Sequence, residues 1–227
     1  MSAKKFVAFL RDGAAMATVE FALVSTVLIL LTLGAYEVSN AISAKRHLNE
    51  AVYSVAQIIS ETPNPPGSLT YEDVQMAADS AMIVFPEALA ASARKGASWS
   101  TEVGITISHV VMTAANAPCA ANCQYVGAVA WTWGAHKRPC ATPMTSAGSN
   151  AAPLTSTTVP DDSLSPGALT LVEASYAYQP TVFSGLFNSI AMKSVAALKP
   201  RNVPPSSYIK YVAVPGDTGA TTICSGY

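Results

Sequence analysis

Four cysteines, three histidines and one carboxylate at the mouth of an apolar run are the residues of this chain whose types and spacing could do chemistry. Cys119 and Cys123 make a Cys-x-x-x-Cys pair with the other two thiols, Cys140 and Cys224, scattered along the chain, which is a poor zinc pattern. An even count of thiols in an oxidising compartment reads instead as two disulfides, with three possible connectivities. Cys119 and Cys123 bracket a short Ala-Ala-Asn turn, which suits a local bridge. Cys140 is separated from Cys123 by a predicted strand, roughly 30 Å of extended chain, which favours Cys140 with Cys224. His136 close to Cys140 could form a nucleophilic Cys/His pair, but a disulfide would remove the thiol. His47 lies beside Lys45 and Arg46, and His109 falls in a predicted strand. The sequence contains no Gly-rich phosphate loop, serine nucleophile elbow or metal-binding histidine pair. No enzymatic activity and no cofactor is expected.

The carboxylate is Glu20. From Phe21 to Tyr36 the tyrosine is the only ionisable side chain, and Val27-Leu28-Ile29-Leu30-Leu31 is wholly apolar. As a helix, Ala14 to Tyr36 rises about 34 Å at roughly 1.5 Å per residue, enough to cross a hydrocarbon core of ~30 Å. Lys4, Lys5 and Arg11 precede it, so the N-terminus is expected in the cytoplasm and the rest of the chain exported. A cleaved secretory signal with a small-residue site at Ala41-Ile42-Ser43 is the competing reading. Glu20 and the helical phase beyond Tyr36 argue against it. A carboxylate at the edge of hydrocarbon costs at least ~2–3 kcal/mol unless it is paired.

Composition agrees with an anchored or assembled protein. The chain has 227 residues, with 13 Lys plus Arg against 14 Asp plus Glu, so its net charge of −1 gives no reason to expect nucleic acid as a partner. Charged residues are 12% of the total, roughly half of the usual quarter. One stretch outside the apolar run, Ser98 to Ala135, has Glu102 as its only acidic residue and no Lys or Arg, and this suggests that part of the exported region is covered by other subunits.

The elements that must position these residues follow from periodicity. Val38, Ile42, Leu48, Val52, Val55 and Ile59 continue a helical phase past Tyr36, so one helix is predicted from about Ala14 to Ser60, ending before Pro63, Pro65, Pro66 and Gly67. Thr70 with Asp73 reads as an N-cap for a second helix over Tyr71 to Val84, resuming over Pro86 to Arg94. Alternation predicts strands from Val103 to Val111, Tyr125 to Trp133 and Thr170 to Tyr178, and Ser189 to Leu198 as a fourth strand or a short helix followed by one. The fold class is α+β: a long N-terminal helix whose first half spans a membrane, packed on a small antiparallel sheet of three to four strands, with a second helix. The organisation is a basic leader 1–13, the helix 14–60 with its membrane segment 14–36, an exported head 61–201 and a tail 202–227 of open role. Within the head, 141–167 is rich in Ser, Thr, Pro and Ala and reads as a flexible loop. Trp131 and Trp133 share a strand face that would be a partner surface if exposed.

The stretch Arg11-Asp12-Gly13-Ala14-Ala15-Met16-Ala17-Thr18-Val19-Glu20-Phe21-Ala22-Leu23 resembles the start of a type IV prepilin-like protein, most of all the TadE/TadG-like family of Tad (Flp-type) pilus systems. Tyr176-Ala177-Tyr178-Gln179-Pro180, Gly185-Leu186-Phe187 and Lys199-Pro200-Arg201 resemble that family's closing segment. The resemblance implies a minor pilin or pseudopilin acting in pilus assembly, initiation or at the tip. It would be cut by a prepilin peptidase among Gly13, Ala14, Ala15 and Met16: after Gly13 by the leader's last glycine, or after Ala15 by the family's usual position for the glutamate. Val19-Glu20-Phe21 is the matched element, in which Glu20 would fix the register between packed helices with Phe21 opening the apolar surface. The implied partners are other pilin and minor pilin subunits, the prepilin peptidase and the inner-membrane assembly platform, with the head periplasmic or extracellular. The alternative is a signal-anchored or secreted periplasmic binding domain without a pilus role.

Overall fold

The computed structural model describes residues 13–62, 68–116, 118–119, 121–150, 152–182, 188–214, 217 and 220–227, with the side chains of 13–15 left out. Residues 1–12 of the leader 1–13, the Pro63–Gly67 terminator and the Gly185-Leu186-Phe187 motif lie outside the described residues. Two compact units divide the chain: Met1–Ser43 with Gln179–Ser189, and Ala44–Tyr178 with Ile190–Tyr227.

Helix α1 runs unbroken over Gly13–Ser60, as its periodicity predicts. The first unit contains its apolar half. There Phe21, Leu23, Val24, Leu28, Leu30 and Leu31 are all exposed, so the apolar surface runs round the helix instead of forming one stripe. Polar side chains in this half are satisfied by the helix itself: Ser25 and Thr26 donate to Ala22 O at 3.1 and 2.7 Å, and Thr32 to Leu28 O at 2.7 Å. That back-bonding lets hydroxyls sit in hydrocarbon without an orphaned donor.

In the second unit the rest of α1 becomes amphipathic and buries Ala44, Leu48, Ala51, Val52, Val55, Ala56 and Ile59. Helix α2, Tyr71–Val84, starts at Thr70 with a full capping box: Asp73 N donates to Thr70 Oγ1, and Thr70 N donates to Asp73 Oδ2 at 2.8 Å. Pro86 then opens α3, Pro86–Lys95, and Gly96 ends it in the left-handed conformation. His47 of α1 meets Glu87 of α3 at 2.7 Å, and the Phe85 ring at the α2–α3 junction packs edge-on against Tyr176, centroids 4.9 Å apart. A short α4, Trp99–Glu102, leads into the sheet.

The sheet has five strands, not three or four. Its order is β7 (Ile190–Leu198), β6 (Gly167–Tyr178), β2 (Val103–Ala114), β3 (Tyr125–Gly134) and β9 (Thr221–Ile223), antiparallel throughout. Alternation divides β2 into two sets. Val103, Ile105, Ile107 and His109 share the face of Tyr176, which meets Phe85 of the helical layer. Val110 and Met112 belong to the opposite face, where they cluster with Leu169, Leu171, Met144 and Val159. A bulge opposite His109 and Val110 shifts β3 by one residue, so Trp131 shares the helix-side face while Val129 joins the second cluster. Gly134, at φ +108, closes β3 where a Cβ would lie 2.1 Å from Ile105 O.

Two segments differ from the sequence expectation. The stretch 141–167 is not a structureless loop: β4 (Thr145–Ser146) and β5 (Thr158–Val159) pair in parallel, a 3-10 turn covers Asp161–Ser163, and Met144 and Val159 are buried against the sheet. Its apolar residues are few but placed at the sheet contact, and that spacing has no secondary-structure period. The tail supplies β8 (Lys210–Tyr211), which pairs in parallel with β1 (Ser68–Leu69), and then the fifth strand β9.

Candidate functional site

The exposed apolar half of α1 is the first candidate site. Its most apolar 18-residue window has a mean hydropathy of 2.1, and none of that window is buried. A core helix of the same composition would be covered by its own fold; this one is long and apolar enough to cross a membrane. Glu20 lies on this surface, exposed immediately before the run begins, and Phe21 beside it is 74% exposed. Among the described residues no hydrogen bond or ion pair is found for the Glu20 carboxylate within the chain. Gly13, Ala14 and Ala15 form the first turn of α1, and Met16 is exposed at 56%, which leaves its side chain open to solvent or lipid.

Where the apolar run ends, the structure shows a residue that sequence reading did not single out. Glu37 is buried, and its carboxylate accepts from the backbone amides of Thr181 and Val182, both at 3.0 Å, and from Thr181 Oγ1 at 3.2 Å. The first charge after sixteen residues without one was the available signal. The clamp ties the β6–β7 connection to α1 inside the first unit.

The cysteines pair as Cys119–Cys123 and Cys140–Cys224. The second bridge fastens the end of the tail beside β3, where Cys224 N also donates to Ala130 O at 2.9 Å. Cys140 therefore carries no thiolate for His136 to activate. His136 instead uses its backbone amide, donating to Thr106 Oγ1 at 2.9 Å.

Two further polar groups are buried in the second unit. His109 has no exposed surface; the Ile209 amide donates to its Nε2 at 3.0 Å, so Nε2 is unprotonated and the proton sits on Nδ1, 3.3 Å from Thr170 Oγ1. Burial pushes its pKa down to about 3, so the ring is neutral at physiological pH. Trp131 stacks on it at 5.8 Å and donates from Nε1 to Ile209 O at 2.8 Å. Trp131 is thus core, covered by the tail, and is not a partner surface. Arg138 is also buried and forks onto Glu173, with Nε to Oε2 at 2.7 Å and Nη2 to Oε1 at 2.9 Å. Its Nη1 donates to Ser156 O and Thr158 O, which pins 141–167 to the sheet. Among the described residues no group of three His, Cys, Asp or Glu side chains converges in a way that could hold a metal.

Fold and site together define a chain with one membrane-competent N-terminal helix, a carboxylate at its entrance and a disulfide-bonded α+β domain. Residues 15–57 match the family model described as TadE-like protein, so this N-terminal segment is similar to TadE-like domains. No curated protein and no solved structure matches the chain.

Proposed function

We propose that the protein is a minor pilin or pseudopilin of a Tad-type pilus, with a mechanical and recognitional, non-enzymatic role in assembly, initiation or at the tip. The observation that supports this most is the coincidence of the TadE-like match over 15–57 with an unburied apolar helix that opens on Glu20. In this reading α1 anchors the chain in the inner membrane with its N-terminus in the cytoplasm. A prepilin peptidase removes the leader, and the apolar surface then packs against other pilin subunits. The new α-amine of a neighbouring subunit pairs with Glu20 and fixes the axial register, which offsets the cost of a carboxylate at the hydrocarbon edge.

Intact-mass spectrometry of the protein from its native membrane tests the processing step. A mature N-terminus at Ala14 or Met16 is expected; a start near Ala44 or an intact Met1 refutes the maturation. Glu20→Ala should leave membrane insertion intact and impair pilus assembly, and normal piliation in that variant removes the register role.

A further inference from the structure

β7 is an edge of the five-stranded sheet, with β6 on one side and, among the described residues, no strand on the other. In an antiparallel ladder each residue turns its N–H and C=O to the same side, and successive residues alternate. Ala135 N donates to Ile105 O and Cys224 N to Ala130 O, which fixes the direction on β2 and β3. Carried through the pairings Gly104–Ser175 and Ser175–Lys193, this turns Ala191, Lys193, Val195 and Ala197 outward on β7. Lys45 of α1 donates its ammonium to Lys193 O, as an outward carbonyl requires. Among the described residues that is the one hydrogen bond found for this outer edge.

The edge is flanked by a hollow on each face. A cavity of about 540 Å³ separates it from α1, lined there by Lys45, Asn49, Glu50 and Tyr53. A cavity of about 550 Å³ lies on the other face, between Leu154 and the sheet, with Glu173 in its lining. Lys193, Ser194, Val195 and Ala197 line both. Side chains of an extended strand point alternately to opposite faces. A strand laid along β7 would therefore direct successive side chains into one hollow and then the other.

We propose that the outer edge of β7 docks an extended segment of a partner protein as a sixth strand, its alternate side chains filling the two cavities and a carboxylate placed beside Lys193. The unpaired amides supply the affinity and the two hollows the selectivity. Lys45 and Lys193 against Glu50 leave the edge positive, which an acidic residue in the incoming strand complements. A second copy of this chain fits poorly, because it would bring both pairs of lysines to one edge. The inference does not depend on the pilus reading, since it concerns the second unit alone.

The probe is a blocked, fluorescent nonapeptide of alternating threonine and valine with one central aspartate, titrated against the full chain in detergent micelles and read by anisotropy. Saturable binding is expected, weakened at least tenfold when alternate peptide amides are N-methylated on one face, but not on the other. Replacing the central aspartate by lysine should weaken it comparably. Val195→Pro removes an outward N–H only, a position where an edge strand tolerates proline, and should also cost at least tenfold with tryptophan fluorescence unchanged. Hydrogen exchange at the Lys193 and Val195 amides should slow at least tenfold with the probe bound. No saturable binding overturns the proposal, as does equal weakening by both N-methylation patterns. A concentration-dependent dimer that Val195→Pro abolishes also overturns it, because the edge is then occupied by a second copy.

Discussion

Acidification should destabilise the second unit through His109, by an amount that follows from its surroundings. The ring is fully buried, its Nε2 accepts from the Ile209 amide, and its pKa is pushed down to about 3 from an ordinary 6.5. Above pH 6.5 the ring is neutral in both folded and unfolded chains and pH has no effect through it. Between 6.5 and about 3 the unfolded chain binds a proton that the native one refuses, so stability falls as pH falls, by ~1.4 kcal/mol per unit. At pH 4 the loss is ~3 kcal/mol, a large part of a typical folding free energy of ~5–15 kcal/mol. The physical cause is that protonated Nε2 would become a donor facing the Ile209 donor, at a fully buried position. Urea unfolding followed by tryptophan fluorescence at pH 7 and pH 4 measures it, because Trp99, Trp131 and Trp133 all lie in this unit. Carboxylates titrate over the same range, so the comparison is with His109→Gln, whose amide oxygen can accept the Ile209 bond. That variant should lose ~1–2 kcal/mol at pH 7 through poorer packing on Trp131, and then show a pH dependence smaller than that of the unaltered chain by ~3 kcal/mol. Equal pH dependence in the two proteins would refute the assignment.

Glu173→Gln breaks the fork with a guanidinium that is 1% exposed, and should cost ~3 kcal/mol in urea unfolding, since removing one partner strands a buried charge; a loss under ~1 kcal/mol would mean that the Ser156 and Thr158 carbonyls suffice. The two disulfides should differ by loop length alone. With sequence separations of 84 and 4, chain entropy gives about 4–5 kcal/mol for Cys140–Cys224 and about 2 for Cys119–Cys123. Paired Cys→Ser variants compared by denaturation should keep that order, and reversal would show that the tail is held chiefly by β8 and β9.

Much of this architecture is written in local patterns. The unbroken phase from Val38 to Ile59, the Thr70 and Asp73 cap and the alternation of Val103, Ile105 and Ile107 each correspond to an observed element. What escaped has no period to read. β1, β8, β4 and β5 are two residues each, stabilised by partners far along the chain, so no window of sequence identifies them. Arg138 follows His136 and Lys137 and has the look of a solvated basic cluster; only the fold brings Glu173 beneath it. Glu37 reads as the first polar residue after an apolar run, and its role depends on the return of Thr181 and Val182 to the same helix. Glu20 was legible because its environment is set by its immediate neighbours.

The second charge deficit, from Ser98 to Ala135, has a different cause from the one its composition suggested. Cover by other subunits is not needed to explain most of it. β2 and β3 are interior strands of the sheet, and both faces of β2 are covered within the chain: Ile105, Ile107 and His109 on the helix side, Thr106, Ser108 and Val110 on the side of 141–167. A strand buried on both faces has nowhere to put a charge, and its few polar residues must pair internally, as Ser108 and Thr132 do at 2.9 Å. Apolar surface left open in the second unit is elsewhere. Met76 and Ile83, two helical turns apart on α2, are 66% and 86% exposed, and Ile190 and Val195 on β7 are 49% and 41% exposed. Surface of that kind on a monomer marks contact with other proteins more reliably than scarcity of charge along a stretch of sequence. Any subunit contact made by this unit is therefore to be sought at α2 and the β7 edge, not on the charge-poor strands.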